Sequence, residues 1–123
     1  MSKAKYVDGF VLIVSKKNVA IYKKIARLAG KVWRDHGALE YRECVADDMN
    51  VECGITFPKL AKQKSGELVV FSWITYKSRK HRDQVNAKVM CDPRLMKMMS
   101  SSKMPFDWKR MTHGGFKILV DAN

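Results

Sequence analysis

The 123-residue chain carries 24 lysines and arginines against 12 aspartates and glutamates, a formal net charge of +12. Its hydrophobic fraction of 46% is ordinary for a soluble globular protein, and its length fits a single domain over residues 1–123. No apolar run approaches the ~20 residues that cross a bilayer, and no signal-peptide pattern opens the chain. We therefore expect a cytoplasmic protein without a membrane partner. The charge favours anionic partners, with a plain solvated surface as the alternative.

Cysteine and histidine spacing gives no support for a metal site or a disulfide scaffold. The three cysteines are odd in number and widely spaced, without a Cys-x-x-Cys pair, which favours reduced thiols. The three histidines are equally scattered, so no ligand spacing points to zinc. The sequence therefore predicts neither a metal nor a cofactor.

The first half of the chain predicts two strands around one firm helix. Tyr6 to Ser15 reads as a strand that is apolar on both faces. From Val19 to His36 apolar residues recur with a period of 3.6 and cations occupy the opposite side, which predicts an amphipathic helix. Asn18 is its predicted N-cap and Gly37 its predicted C-cap. Leu39 to Val45 alternates as a second strand.

The central segment predicts the strand around which the domain is built. Val51 to Gly66 is predicted as a connection with a short strand at Cys53 to Phe57. Glu67 to Tyr76 is rich in β-branched and aromatic residues and is largely apolar on both faces. Such a strand must lie at the centre of a sheet that is covered twice.

The last third predicts two helices and a final strand. A helix begins after the cap Ser78 and runs to about Met90, and the pair Asp92-Pro93 restarts a helix. Six of the eight methionines lie from Met90 onwards, where they fill an irregular core gap or form an adaptable ligand surface. The final strand is predicted after a turn at Gly114-Gly115, and its apolar residues are Phe116, Ile118 and Val120.

This order of elements predicts an α+β fold, a ferredoxin-like βαββαβ layout with a four-stranded antiparallel sheet and both helices on one face. The other face of the central strands would then stay apolar and uncovered. A second copy of the same sheet is the simplest cover. We therefore predict a homodimer through the sheet faces.

Two candidate sites fall on the second predicted helix. The cations at its start favour anion binding, with plain exposed side chains as the alternative; these residues are Lys77, Arg79 and Lys80. Further along, Arg82 and Asn86 share one helical face and look towards the sheet that bears Trp73. We predict these three residues as ligand-binding groups of a pocket. The alternative is an internal ion pair of Arg82 with Glu43 or Asp107.

The loop from Met104 to Met111 has the composition of a lid over that pocket, or of a plug between helix and sheet. Phe106 and Arg110 are its predicted ligand-binding residues. The chain has no Ser-His-Asp spacing and no Gly-rich phosphate loop. The candidates for a general acid or base are Glu43, Asp107 and His113.

Nucleic acid is an alternative partner. A basic sheet with exposed aromatics is typical of RNA recognition, but the glycine-aromatic ribonucleoprotein pattern is missing and the sheet is aliphatic. Non-specific contact with a phosphate backbone through the basic helix stays open.

Short motifs spread over nearly the whole chain form a specific combination. They are Tyr6-Val7-Asp8-Gly9-Phe10, Gly37-Ala38-Leu39, Glu43-Cys44, Ser72-Trp73-Ile74, Arg82-Asp83, Asn86-Ala87-Lys88-Val89-Met90, Asp92-Pro93-Arg94, Met104-Pro105-Phe106-Asp107, Lys109-Arg110-Met111 and Gly114-Gly115-Phe116. In this combination the chain resembles the YbaA-like family of small bacterial proteins of unknown function.

The resemblance implies a dimeric α+β barrel, an arrangement shared with cofactor-independent monooxygenases and small isomerase-like proteins, and it implies no established activity. Carried over by position, the polar motif residues of the family are Asp8, Glu43, Arg82, Asn86, Asp92, Arg94, Asp107 and Arg110. The chain departs from the pattern at Lys77, where the family usually has proline, and at Trp108, where it usually has glycine.

Three functional hypotheses follow. The first is a homodimer that binds a small polar or anionic organic ligand between helices and sheet, with a cofactor-independent oxygenase or isomerase as the reaction class by fold analogy. The second is a basic RNA-binding module, and the third is a structural dimer without a ligand. Whether the protein is an enzyme stays open at this point.

Overall fold

The computed structural model describes residues 4–100 and 104–122. Within them the strands are β1 (Tyr6–Ser15), β2 (Glu40–Val45), β3 (Glu67–Tyr76) and β4 (Thr112–Lys117). The α-helices are α1 (Val19–Asp35), α2 (Phe57–Leu60), α3 (Arg79–Met90) and α4 (Pro93–Ser100). Short 3₁₀ helices at Lys16–Asn18 and Trp108–Arg110 precede α1 and β4. Among the helices in this part of the chain, none combines the length and apolar character needed to cross a bilayer.

The strands pair antiparallel in the order β2-β3-β1-β4, which places the two longest strands at the centre. This confirms the predicted α+β class with its four-stranded antiparallel sheet, and the order is consistent with a ferredoxin-like fold. β1 and β3 have the predicted bounds. They lie at the centre because apolar side chains on both faces disfavour an edge position that faces water.

The main core lies between the sheet and a layer of α1, α3 and α4. Its fully buried side chains include Val32 of α1, Val85 and Val89 of α3 and Tyr76 of β3. α1 lies close to β2 because Gly30 has no side chain. A Cβ atom there would be only 2.9 Å from Cδ1 of the Tyr41 ring.

Three local predictions are corrected. Residues 53–56 form no strand; the chain instead enters the short helix α2, whose first turn is capped by Thr56 Oγ1 accepting from Lys59 N at 3.3 Å. Asn18 precedes α1 but its side chain makes no capping hydrogen bond. The glycine pair is not a turn but lies within β4, where it pairs with β1. Residue 115 is glycine because a Cβ atom there would overlap Oη of Tyr6 on the neighbouring strand.

The second face of the sheet carries exposed apolar side chains. Phe71 is 41% and Phe116 is 63% exposed, and Val11 and Trp73 are half-buried on the same face. Near one end α2 covers part of this surface, with the Phe57 ring centroid 6.0 Å from that of Phe71. The described residues therefore leave an aromatic and aliphatic patch open on this face.

Candidate ligand-binding cavity

A cavity of about 390 Å³ lies between the sheet and the helix layer. Its floor is the helix-facing side of β1, β2 and β3, its roof comes from α1, α3 and α4, and residues 104–111 form one side. The walls are mainly apolar, and the methionines among them are Met90, Met98, Met99, Met104 and Met111. Because flexible thioethers adapt to irregular shapes, an interior of this size can accept a small organic molecule.

The first polar cluster in the cavity pairs Asp8 of β1 with Arg82 of α3. Arg82 Nη1 donates to Asp8 Oδ1 at 2.7 Å, and its Nε donates to Asp83 Oδ1 at 2.8 Å. The guanidinium carbon lies 5.1 Å from the centre of the Tyr6 ring, a cation–π contact. Asp8 is only 6% exposed, and burial raises the pKa of its carboxyl, an effect that the charge of Arg82 opposes. Asp8 is therefore a more basic carboxylate than an exposed one.

One turn further along α3, Asn86 adds hydrogen-bond donors to the cavity lining. Its Oδ1 accepts from Trp33 Nε1 at 3.1 Å and from the Tyr76 hydroxyl at 3.3 Å. Because the indole nitrogen can only donate, these contacts fix which amide atom faces Trp33. The amide nitrogen of Asn86 has no hydrogen-bond partner among the described residues. Asn86 therefore brings an amide nitrogen without a partner in the described residues to the cavity lining.

The second polar cluster is centred on Glu43 of β2. One carboxylate oxygen accepts from the Tyr22 hydroxyl at 2.5 Å, and the other accepts from the Tyr41 hydroxyl at 2.6 Å. Burial, followed by the charge of Glu43, raises the pKa of both phenols well above their ordinary value. Both hydroxyls therefore stay protonated and hold the carboxylate in place.

The loop that was predicted to be a lid forms one wall of the cavity. Its Phe106 ring meets Tyr22 at 5.7 Å and Trp108 at 4.8 Å between centroids, both edge to face. Arg110 is not a lining residue; its Nη1 and Nη2 donate to the two oxygens of Glu67 at 2.7 and 2.8 Å. Arg110 therefore anchors this loop to the start of β3, and its ligand role stays a prediction.

The structure brings five of the predicted site residues to the cavity, namely Glu43, Arg82, Asn86, Phe106 and His113. Trp73 is not among them. The alternation of β3 puts its indole on the opposite face, where Nε1 donates to Glu40 Oε1 at 2.8 Å. The expected partner of Arg82 also differs, since it pairs with Asp8 and not with Glu43 or Asp107.

The three candidates for acid–base chemistry lie apart from one another. Asp107 is exposed, and its Oδ1 accepts from Lys109 N at 2.9 Å as a cap of the 3₁₀ turn. His113 lies at the rim on β4, stacked on Phe10 with 5.9 Å between ring centres. It shares a row with Glu43, but β1 and β3 lie between them. Three strand spacings make roughly 14 Å, so the two side chains do not act on one atom together.

The predicted anion-binding residues lie outside the cavity and are exposed: Lys77, Arg79 and Lys80. Two backbone amides beside them already have partners. Ser78 Oγ accepts from His81 N at 3.0 Å, and His81 Nδ1 accepts from Lys77 N at 3.0 Å. Anion binding at this helix start stays a prediction, with fewer amide donors available to it than the sequence implied.

A separate cluster joins the end of α1 to the start of α4. The Asp92 carboxylate is buried and contacts His36 Nε2 and Arg94 Nη2, each at 2.8 Å. Arg94 Nη1 also donates to Asp35 Oδ2 at 2.7 Å. These contacts give Asp92 and Arg94 a structural role.

No group of three or more histidine, cysteine, aspartate or glutamate side chains within residues 4–100 and 104–122 is placed to hold a metal ion.

Sequence reasoning did not place Asp8, Tyr22 or Tyr41 in a pocket. A signal was present for Asp8, because it is the carboxylate in a helix-facing row of β1 whose other members are aromatic or aliphatic. A lone buried carboxylate requires a partner or a function. No local sequence pattern sets Tyr22 or Tyr41 apart, because their link through Glu43 depends on long-range packing.

Fold and cavity together define a small α+β protein with a cavity of about 390 Å³ between its sheet and its helices. Residues 5–108 match the family described as "Protein of unknown function (DUF1428)", and the chain belongs to this family. It is 42% identical over 117 residues to "Uncharacterized protein YbaA" of Escherichia coli (strain K12), a match that covers 95% of this chain and 98% of that protein. The protein of the same name from Shigella flexneri gives the same identity and coverage. The YbaA-like resemblance seen in the sequence is thereby confirmed.

Proposed function

We propose that the protein is a homodimer in which each subunit binds a small organic molecule in the cavity between its helices and sheet. The observation that carries this proposal is a mainly apolar space of about 390 Å³ whose lining includes Asn86, a residue whose amide nitrogen has no hydrogen-bond partner among the described residues. A ligand that displaces water from such N–H groups without accepting their hydrogen bonds binds less tightly, because the groups are left unpaired. A mostly apolar molecule with one carbonyl or similar acceptor fits both features.

The charges around the cavity narrow the ligand class further. Arg82 is balanced by Asp8 and Asp83, so it offers little uncompensated positive charge. On the β2 side Glu43 adds a negative charge that no cation in the cavity pairs with among the described residues. A neutral polar ligand therefore fits this interior better than a polyanion.

If the bound molecule reacts, the arrangement supports proton transfer at a carbon next to its carbonyl. Asp8 is the base we propose, because burial raises the pKa of its carboxyl and makes it a stronger proton acceptor than an exposed aspartate. The N–H groups of Asn86 would stabilise the developing enolate oxygen. Proton abstraction of this kind opens the reactions of cofactor-independent oxygenases and isomerases, a class that we propose by fold analogy.

Ligand binding is tested with a matched pair of small molecules, acetophenone and ethylbenzene, which differ in a carbonyl. We expect acetophenone to bind about 5-fold more tightly in ligand-observed NMR titrations, the effect of one hydrogen bond. Asn86→Asp keeps Oδ1 for Trp33 and Tyr76 but removes both N–H donors, so it should abolish the preference. Asn50→Asp, an exposed loop change, is the control. Equal affinity for the two molecules, or a preference that survives in Asn86→Asp, contradicts the proposal.

The dimer is supported by the open apolar patch on the second sheet face. Phe116→Lys places a charge within that patch, and we expect it to convert a dimer into a monomer in sedimentation velocity at micromolar concentration. Met96→Lys introduces the same side chain at a position on α4 that is 57% exposed and should leave the dimer intact. A wild-type protein that sediments as a monomer rules out this assembly.

A further inference from the structure

A second concave surface lies on the outer side of the Glu43 cluster, between α1 and the edge strand β2. We call it the basic groove; its volume is about 590 Å³. Its floor is apolar and includes Val14, Val45 and Val70. Tyr22, Tyr41 and Glu43 line both the groove and the inner cavity and separate the two. The groove is therefore a surface distinct from the proposed ligand cavity.

Cations line the helix side of the basic groove: Lys23, Arg27, Lys31 and Arg34. They recur every three or four positions, so they form one row about 16 Å long. Lys31 pairs with Asp35 at 3.4 Å, and Arg34 Nη1 donates to Ala38 O at 2.8 Å. Lys23 and Arg27 have no hydrogen-bond or ion-pair partner among the described residues. Two unpaired positive charges thus overlook the groove.

The other side of the groove is an edge of the sheet that no further strand of the described residues covers. β2 ends the strand order and pairs on one side with β3. Ala46 N donates to Val69 O at 2.9 Å, so by antiparallel alternation the backbone groups of Tyr41, Glu43 and Val45 point outward. α1 leads back into β2 through Gly37, and Arg34 bonds to the residues just before the strand. The row of cations on α1 and the edge of β2 therefore run side by side over similar lengths.

We propose that the basic groove binds an extended acidic segment of a partner protein, which adds to β2 as a further strand. The outward N–H and C=O groups of β2 would pair with its backbone. Carboxylates on alternate residues would meet Lys23 and Arg27 across the groove. A lipid or a single small anion would leave the strand edge unpaired. A second copy of this chain carries the same +12 charge, which an apolar sheet face tolerates but which is unfavourable next to a row of cations.

The experiment uses the full chain and a fluorescein-labelled heptapeptide of alternating glutamate and threonine, followed by fluorescence anisotropy. We expect saturable binding that the double variant Lys23→Glu/Arg27→Glu weakens at least 10-fold. The matched control, Lys24→Glu/Lys88→Glu, makes the same charge change at exposed positions outside the groove and should alter affinity less than about 2-fold. The same peptide with N-methyl groups on alternate residues should not bind, because it cannot donate to the strand edge.

Other outcomes overturn the proposal. No saturable binding removes it outright, and equal weakening by both double variants shows a response to net charge alone. Full binding of the N-methylated peptide shows an anion site without strand addition. Tighter binding of a single-stranded 12-mer DNA, lost in Lys23→Glu/Arg27→Glu, assigns the groove to nucleic acid. Loss of dimer in that variant by sedimentation velocity assigns it to a second copy. None of these readouts depends on a molecule in the inner cavity.

Discussion

Replacing Arg110 by methionine tests whether the wall of the cavity is held in place by one ion pair. Arg110 donates to both oxygens of Glu67, at 2.7 and 2.8 Å, and the two side chains are only 25% and 14% exposed. A bidentate, partly buried ion pair of this kind stabilises a fold more than a typical surface ion pair does. We expect Arg110→Met to lower the free energy of unfolding by about 1–2 kcal/mol. The melting temperature should then fall by about 4–8 °C in differential scanning calorimetry.

Acid provides the second readout of the same variant. The hydrogen bonds from Arg110 hold the pKa of Glu67 at about 2, below its ordinary value of 4.5. Because the folded-state pKa is depressed, the pair stabilises the fold fully above pH 4.5 and loses its effect as the pH falls towards 2. The difference in melting temperature between wild type and Arg110→Met should therefore shrink across this window.

The control for this prediction is Arg42→Met. Arg42 contacts Glu40 through a single pair of atoms at 3.1 Å, with side chains that are 62% and 39% exposed. Its loss should change the free energy of unfolding by less than about 0.5 kcal/mol. If Arg110→Met melts no lower than Arg42→Met, or if its deficit stays constant down to pH 3, Glu67 does not anchor the loop through Arg110.

Two further predictions concern local contacts of the fold. Gly115→Ala should lower the free energy of unfolding by about 1–3 kcal/mol in urea, because the new Cβ atom would meet Oη of Tyr6. In the control, Gly114→Ala, the new Cβ atom points into open space and should change the stability little. Equal effects of the two substitutions would contradict the packing argument. Ser78→Ala removes the acceptor for the His81 amide and should cost about 1 kcal/mol in the same assay. Ser78→Asp restores an acceptor and should recover most of that loss, and failure to do so would show that capping is not the cause.

The sequence determined the fold most clearly where the hydrophobic pattern was strong and local. β1 and β3 were predicted with their observed bounds because both carry apolar residues on both faces over ten positions. β4 was placed too late along the chain. A Gly-Gly pair reads locally as a turn, but here it gives the Tyr6 side chain room across the sheet. That reason is a contact between residues far apart in the chain, which no local pattern contains.

In the candidate site, too, local spacing predicted one part, whereas contacts between distant residues determined the rest. The spacing of Arg82 and Asn86 was enough to place both on the inward face of one helix. Their partners were not predictable, because Asp8 lies 74 positions from Arg82 and Trp33 lies 53 positions from Asn86. Trp73 was assigned to the wrong side because the alternation of β3 was not carried through to the pocket, although the pattern itself puts Trp73 opposite Ile74.

A purely structural role accounts poorly for the interior of this protein. Domains of this size are stable by only about 5–15 kcal/mol, and a void larger than a methyl group in a core lowers that stability. Buried ion pairs such as Asp8–Arg82 can often be replaced by packed apolar residues without loss. The chain nevertheless keeps that pair, the Glu43 carboxylate and the unused donors of Asn86 around a space of about 390 Å³. These features do not favour folding and lie around one cavity, so they support the proposal that a small molecule enters it.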